Sequence, residues 1–191
     1  MHGMRPAVRH DAWAVARVHE MARAAYYGVD PPAERDPERV AMWWSAIGDH
    51  NRATVLVVED GDDVVGFVSF GPPIHEVPLA GPVLELHALY VLPGRWGCGV
   101  GSRLHASFVE RLEGGRTGVL DVWERNTHAI GFYERRGWCR DGRSRPGEDG
   151  TAYVGMSIQR CQRDRRSEGL KSGSDPHFPD LSDRWRPSGP S

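Results

Sequence analysis

The residues best suited to chemistry lie together near the middle of the chain. They are Leu92-Pro93-Gly94-Arg95-Trp96-Gly97-Cys98-Gly99-Val100-Gly101-Ser102. An apolar, β-branched run from Val83 to Val91 precedes them, and a helical pattern follows. Glycines at 97, 99 and 101 let a backbone approach a ligand without Cβ clashes. The free N–H groups that open the next helix, at the positive end of its dipole, suit a phosphate. Arg95 can add a charge-assisted contact. A strand, a glycine loop and a helix start in this order predict a site for a phosphorylated cofactor.

The elements that must hold this loop follow from periodicity. The spacing predicts a short strand at Ala7–Arg9, then a helix capped by Asp11 and running to about Tyr27. Pro31-Pro32 break the chain, and a second helix runs from about Pro37 to Ile47. Thr54–Glu59 and Val64–Phe70 read as strands joined by the turn Asp60-Gly61-Asp62-Asp63. After a Pro-rich loop come the Val83–Val91 strand, a Gly99–Leu112 helix ended by Gly114-Gly115, and a Thr117–Val122 strand. An Asn126–Arg136 helix and strands at Trp138–Arg140 and Ala152–Ile158 complete the body. The fold class is therefore α/β, a mixed sheet with helices on its faces.

Composition bounds the rest. The chain has 191 residues, and its 39% hydrophobic and 26% charged content is ordinary for a globular protein able to bury a core. From residue 160 to residue 191 aliphatic residues nearly vanish and Pro, Ser, Gly and Arg dominate. We therefore expect one domain over 1–159 and a flexible, disordered tail over 160–191. The formal net charge is −2, and the tail holds seven of the 24 basic and five of the 26 acidic residues, so the body alone stands at −4. That balance speaks against a nucleic-acid partner. No apolar run approaches the ~20 residues of a membrane span, and the N-terminus reads as lacking a signal sequence. Cys98, Cys139 and Cys161 suggest neither a disulfide framework nor a metal site, so a reducing cytoplasm is expected.

Two cofactor folds use similar glycines. A dinucleotide-binding Rossmann unit wants G-x-G-x-x-G with an acid about 20 residues on, which Gly97, Gly99, Ser102 and Asp121 approach. Nucleoside-binding methyltransferases share a related pattern. Both need several further βα units after this strand, and too little body remains to supply them. From Leu86 to Trp138 the chain instead resembles the GCN5-related N-acetyltransferase (GNAT) superfamily. The resemblance rests on Trp96-Gly97-Cys98-Gly99-Val100-Gly101, followed by Asn126-Thr127-His128-Ala129-Ile130-Gly131-Phe132-Tyr133 and then Gly137-Trp138. Trp96 departs from the usual Gln or Arg at its position. It implies a mixed sheet of about six to seven strands flanked by about four helices.

That resemblance implies acetyl-CoA, or another acyl-CoA, as acyl donor, with no metal. The pyrophosphate is expected on Gly97 to Ser102, the pantetheine arm along Leu89, Tyr90 and Val91, and Asn126 against the arm. Acyl transfer to an amine needs a deprotonated amine, donors for the oxyanion and a proton for the leaving thiolate. Tyr133 stands at the family's general-acid position. Strict alternation along Val83–Val91 puts Glu85 and His87 on one face with Leu89 and Val91. Glu85 and His87 are thus candidate bases, and Asp121 is a third, because Leu120-Asp121-Val122 with Asn126 five residues on resembles the acid-bearing strand of family members that acetylate protein N-termini. The resemblance places the acceptor by the first two helices, where Tyr26, Tyr27, Trp43 and Trp44 are candidate walls. The acceptor itself, a small-molecule amine or a protein N-terminus, is left open, as is a homodimer. A protein of another class, a non-catalytic acyl-CoA sensor, would keep the glycine loop but need neither acid nor base.

Overall fold

The computed structural model describes residues 3–34, 36–147 and 150–159. The expectation for the tail lies outside the described residues. The strands are β1 (Gly3–Pro6), β2 (Thr54–Asp60), β3 (Asp63–Gly71), β4 (Val83–Val91), β5 (Thr117–Trp123), β6 (Cys139–Pro146) and β7 (Ala152–Gln159). The helices are α1 (Ala12–Tyr27), α2 (Pro37–Gly48), α3 (Val100–Val109) and α4 (Thr127–Glu134). One seven-stranded sheet has the order β1-β2-β3-β4-β5-β7-β6, antiparallel throughout except between β4 and β5.

Both faces of the central strands are buried, which is why they read as near-continuous apolar runs. In β2, Val55 and Val57 pack toward α1 and α2, with Ala12, Val15, Val18, Trp43 and Ile47. Leu56 and Val58 pack toward α3 and α4, with Val100, Leu104, Phe108, Ile130 and Trp138. Among the described residues no helix is long and apolar enough to cross a membrane.

Three local details differ from the sequence expectation. The first strand is Gly3–Pro6, not Ala7–Arg9. It is an edge strand, where Pro6 costs no ladder bond on its open side, and it carries no apolar alternation to find it by. Asp11 closes a 3-10 turn rather than capping α1: its carboxylate accepts from Val8 N at 2.7 Å and from Arg5 at 2.7 and 3.0 Å. β6 runs on to Pro146 through Gly142, whose φ of 83° lies where the ladder slips between Arg140 and Ser144.

The most consequential departure is inside β4. Ala88 pairs with Ser69 and Leu86 with Phe70, so His87 is an extra residue in a bulge. Alternation flips across it. Leu84, Leu86, Leu89 and Val91 all face α3 and α4, whereas Ala88 and Tyr90 face α1 and α2. Glu85 therefore shares a face with Tyr90, not with Leu89 and Val91. Gly71 makes room for the bulge: a Cβ there would lie 2.5 Å from Arg52 O and 3.0 Å from His87 Cε1. Gly71→Ala should cost about 1–3 kcal/mol, because a backbone carbonyl cannot swing aside as a side chain does. Denaturant unfolding checks this, and an unchanged midpoint would count against the clash.

Candidate active site

β4 and β5 pair only from Val83↔Thr117 to Glu85↔Val119. Beyond that they splay. β5 continues against β7 to Trp123, while β4 from Leu86 to Val91 is laddered only to β3. The splay leaves a strand edge open in the middle of the sheet. A cavity of about 390 Å³ occupies this region, bounded by Leu89, Tyr90 and Val91, the glycine loop, the face of α4, and Ala22 and Tyr26 of α1.

The loop is shaped by glycine where glycine is required. Gly97 has φ 78° and Gly99 φ 81°, and nothing lies within 4 Å of where either Cβ would stand. Gly99 is the residue before the first turn of α3, so the N–H groups of that turn open beside the cavity. Ser102 and Gly101 line the wall, and Arg136 reaches over from the turn that follows α4 to donate to Ser102 Oγ at 2.6 Å. Arg136 also lies 3.6 Å over the Phe132 ring, which holds its charge beside the helix start. Trp96 donates from Nε1 to Val91 O at 2.8 Å and stacks on His128. Its indole thereby ties the loop to the strand. Arg95 lines the cavity but pairs with Asp60 of the β2–β3 turn, so its guanidinium is already engaged. Cys98 is exposed, with Sγ 3.7 Å from Trp96 O, and Val100 turns its side chain into the core.

Tyr133 and Tyr90 approach the cavity from opposite faces of the splayed sheet. Tyr133 is buried against His105 and Trp138. Burial, with Tyr90 adding to it, pushes the Tyr133 hydroxyl well above the usual tyrosine value. It is therefore protonated at neutral pH. Asn126 precedes α4 and accepts from Ala129 N at 3.0 Å, a helix cap that leaves its amide N–H groups free to face the cavity it lines.

The three candidate bases stand elsewhere, outside the cavity wall. Glu85 is buried and accepts from Ile74 N at 2.6 Å. His87 Nε2 lies 2.9 Å from Pro72 O. Asp121 is held by two arginines of β6, Arg143 at 3.3 Å and Arg145 at 2.8 Å. These arginines cross over β7 at Gly155, where a Cβ would lie 2.6 Å from Arg143 Cβ.

Of the aromatic candidates, Tyr26 lines the cavity and Tyr27 packs between Tyr26 and Trp123. Trp43 and Trp44 do not line it. Trp43 is a core residue donating to His19 Nδ1 at 3.2 Å, and Trp44 is exposed beside His10 and Arg9. Ala22, His128, Ala129, Phe132, Arg135 and Arg136 line the cavity without having been singled out in the sequence. A signal for Arg136 was present: the helix expected over Asn126–Arg136 puts it one turn beyond Tyr133 on the same face, although α4 itself ends at Glu134.

Residues 15–138 match the model of the acetyltransferase (GNAT) family. A curated relative is the mycothiol acetyltransferase of Salinispora tropica, 29% identical over 143 residues, covering 73% of this chain and 44% of the relative. The chain thus spans less than half the length of the curated relatives it matches. Among solved structures, the ribosomal-protein-S18-alanine N-acetyltransferase of Escherichia coli is similar with a TM-score of 0.63 and 17% identity, over 93% of this chain and 100% of that one. The PaiA N-acetyltransferase of Thermoplasma acidophilum, solved in complex with coenzyme A, is similar with a TM-score of 0.57 and 15% identity, over 84% of this chain and 99% of that one. At these identities the structures speak for the fold alone. A splayed β4–β5 pair, a glycine loop opening α3 and a family match spanning both lead to one conclusion: the chain belongs to the GNAT acetyltransferase family.

Proposed function

We propose that the chain is an N-acetyltransferase, moving an acetyl group from acetyl-CoA, or a related acyl group, to a primary amine in one ternary complex. The observation that carries this is the continuity of the cavity. It runs from the glycine loop along the open edge of β4 to Tyr133 and on to Tyr26 of α1. The residues present fit a CoA ester. Gly97, Gly99, Gly101 and Ser102 would hold the pyrophosphate, and Arg136 would add charge. The edge groups of Leu89 to Val91 that remain open, the Val91 carbonyl being taken by Trp96, would pair with the pantetheine amides as a neighbouring strand does.

Acetyl-CoA supplies the activated acyl carbon. A backbone N–H of β4 polarises the thioester carbonyl as charge builds on its oxygen. The amine nitrogen attacks, a C–N bond forms, and the C–S bond breaks. Tyr133 gives its proton to the sulfur as it leaves. The proton lost by the amine passes toward Glu85, which shares the α1 and α2 face with Tyr90, through water. Asp121 is less suited, because two guanidiniums already occupy its lone pairs. The acceptor is a small-molecule amine or a protein N-terminus.

Arg136→Ala should weaken CoA binding about 10-fold, the value of one charge-assisted contact, and flatten its salt dependence. Calorimetry at two ionic strengths measures both, and an unchanged affinity would remove Arg136 from the phosphate site.

A second reading is favoured by the engagement of Glu85, His87 and Asp121 away from the cavity. The domain would then bind acyl-CoA as a sensor without turnover. Thiol release from acetyl-CoA across a panel of amines and peptides separates the two. Saturable CoA binding with no release on any acceptor would support the sensor and sink the enzyme.

A further inference from the structure

Arg23 takes no part in the reaction proposed above, yet it lies beside its path. His19, Arg23, Tyr26 and Tyr27 follow one another at i, i+4, i+7 and i+8 along α1 and form one stripe. Tyr26 lines the cavity, and His19 packs 4.5 Å from the Tyr90 ring. Arg23 lies between them, half-buried. Its Nη2 donates to Tyr27 Oη at 3.3 Å and its guanidinium lies 5.2 Å over the Tyr27 ring. The phenols of Tyr26, Tyr90 and Tyr153 are its other near neighbours.

The charges on this side of the sheet can be paired off. Arg39 stands 3.5 Å from Glu20 and 3.7 Å from Asp36. Arg143 holds Asp141 at 2.8 Å and shares Asp121 with Arg145. Glu85, on the same face, accepts instead from Ile74 N at 2.6 Å, and none of these carboxylates is paired with Arg23. Among the described residues Arg23 has no carboxylate within ion-pair distance, and phenols are its only polar partners. A cation drawn partly out of water with no counter-charge is costly. His19 does not add to this charge: it is held neutral, its pKa brought down to about 3 by burial and then by the fields of Arg39 and Arg23.

We propose that the acceptor is an amine that also carries a carboxylate, and that Arg23 binds this carboxylate beside Tyr26 and Tyr90, at the α1 end of the cavity those two tyrosines line. The amine then points through the splay toward the thioester while the anion stays on the α1 side. The guanidinium is the fork that matches a carboxylate, and the phenols around it supply further donors. This inference rests on the N-acetyltransferase reading and sets the class of its acceptor.

The test is a matched panel. It comprises ω-amino acids from glycine to 6-aminohexanoate, phenylalanine, and the primary amide of each, assayed by thiol release from acetyl-CoA. At the best chain length kcat/KM should favour the acid over its amide by about 10- to 100-fold, the range of a charge-assisted contact. In Arg23→Gln that ratio should fall to within about 3-fold of unity, with folding confirmed by an intact CoA affinity. Arg23→Lys, which keeps the charge, should retain a preference for the acid, and it serves alone if the Gln variant does not fold. A wild-type ratio near one at every length, or a ratio that survives in Arg23→Gln, overturns the proposal. Should no member release thiol, the turnover reading fails, and calorimetry of the same panel on the CoA-saturated protein decides about Arg23. Binding selective for the acids and lost in Arg23→Gln upholds it, and unselective or absent binding overturns it.

Discussion

Gly99→Glu is expected to abolish CoA binding. Gly99 has φ 81° at the start of α3, and its missing Cβ points into open space beside the loop. Two penalties therefore combine. Any L side chain in this conformation is strained by about 1–2 kcal/mol. A glutamate also brings a carboxylate up to the pyrophosphate, a like-charge contact costing several kcal/mol, or about 100-fold or more in affinity. Gly99→Ala separates the two, because it carries the strain without the charge. It should fold with lower stability and keep measurable affinity. Calorimetric titration with CoA reads both variants. A folded Gly99→Glu protein with wild-type affinity would show that the loop is not the phosphate site.

Tyr133→Phe should lower kcat by about 100-fold or more, the usual worth of a positioned general acid, while CoA affinity changes little. The hydroxyl is a small part of a ring that packs against His105, Phe132 and Trp138, and phenylalanine keeps that packing. The raised pKa adds a pH signature. A tyrosine that must be protonated to act loses its function only as pH rises through its own pKa, which here lies above the ordinary value of 10.0. No alkaline limb from Tyr133 should therefore appear below pH 10. Full activity in the Phe variant, or a limb below that pH that the Phe substitution removes, would exclude Tyr133 as the acid.

What could be read from the sequence was what is local. The glycine loop, the start of the helix at Asn126 and the strand before the loop are each specified by residues adjacent in the chain, and each stands where the pattern put it. What escaped was set by contacts between distant segments. The bulge at His87 cannot be seen in β4 alone, because it exists only relative to the register of β3 and the space left at Gly71. A strict period of two consequently placed Glu85 on the same face as Leu89, whereas the structure puts it on the opposite one. β6 was expected only over Trp138–Arg140, because Asp141, Gly142, Ser144 and Pro146 favour turns. It is a strand because β7 offers it an edge. The arginines it brings to Asp121, 22 and 24 residues away along the chain, were for the same reason invisible. Arg23 was overlooked differently. Its position on α1 was predictable, but its lack of a counter-charge depends on how Arg39, Arg143 and Arg145 take up the surrounding acids.

The short pairing of β4 with β5 also bears on how long the protein lasts in a cell. A half-finished ladder inside a sheet is a weak seam, and a ligand that completes it stabilises the native chain by mass action. At a concentration a hundred times its dissociation constant, such a ligand adds about 2.7 kcal/mol. A gain of that size changes the unfolded fraction open to proteases by about 100-fold. With an acyl-CoA in that seam, the abundance of the protein becomes a running record of acyl-CoA supply, independent of whether any acceptor is present.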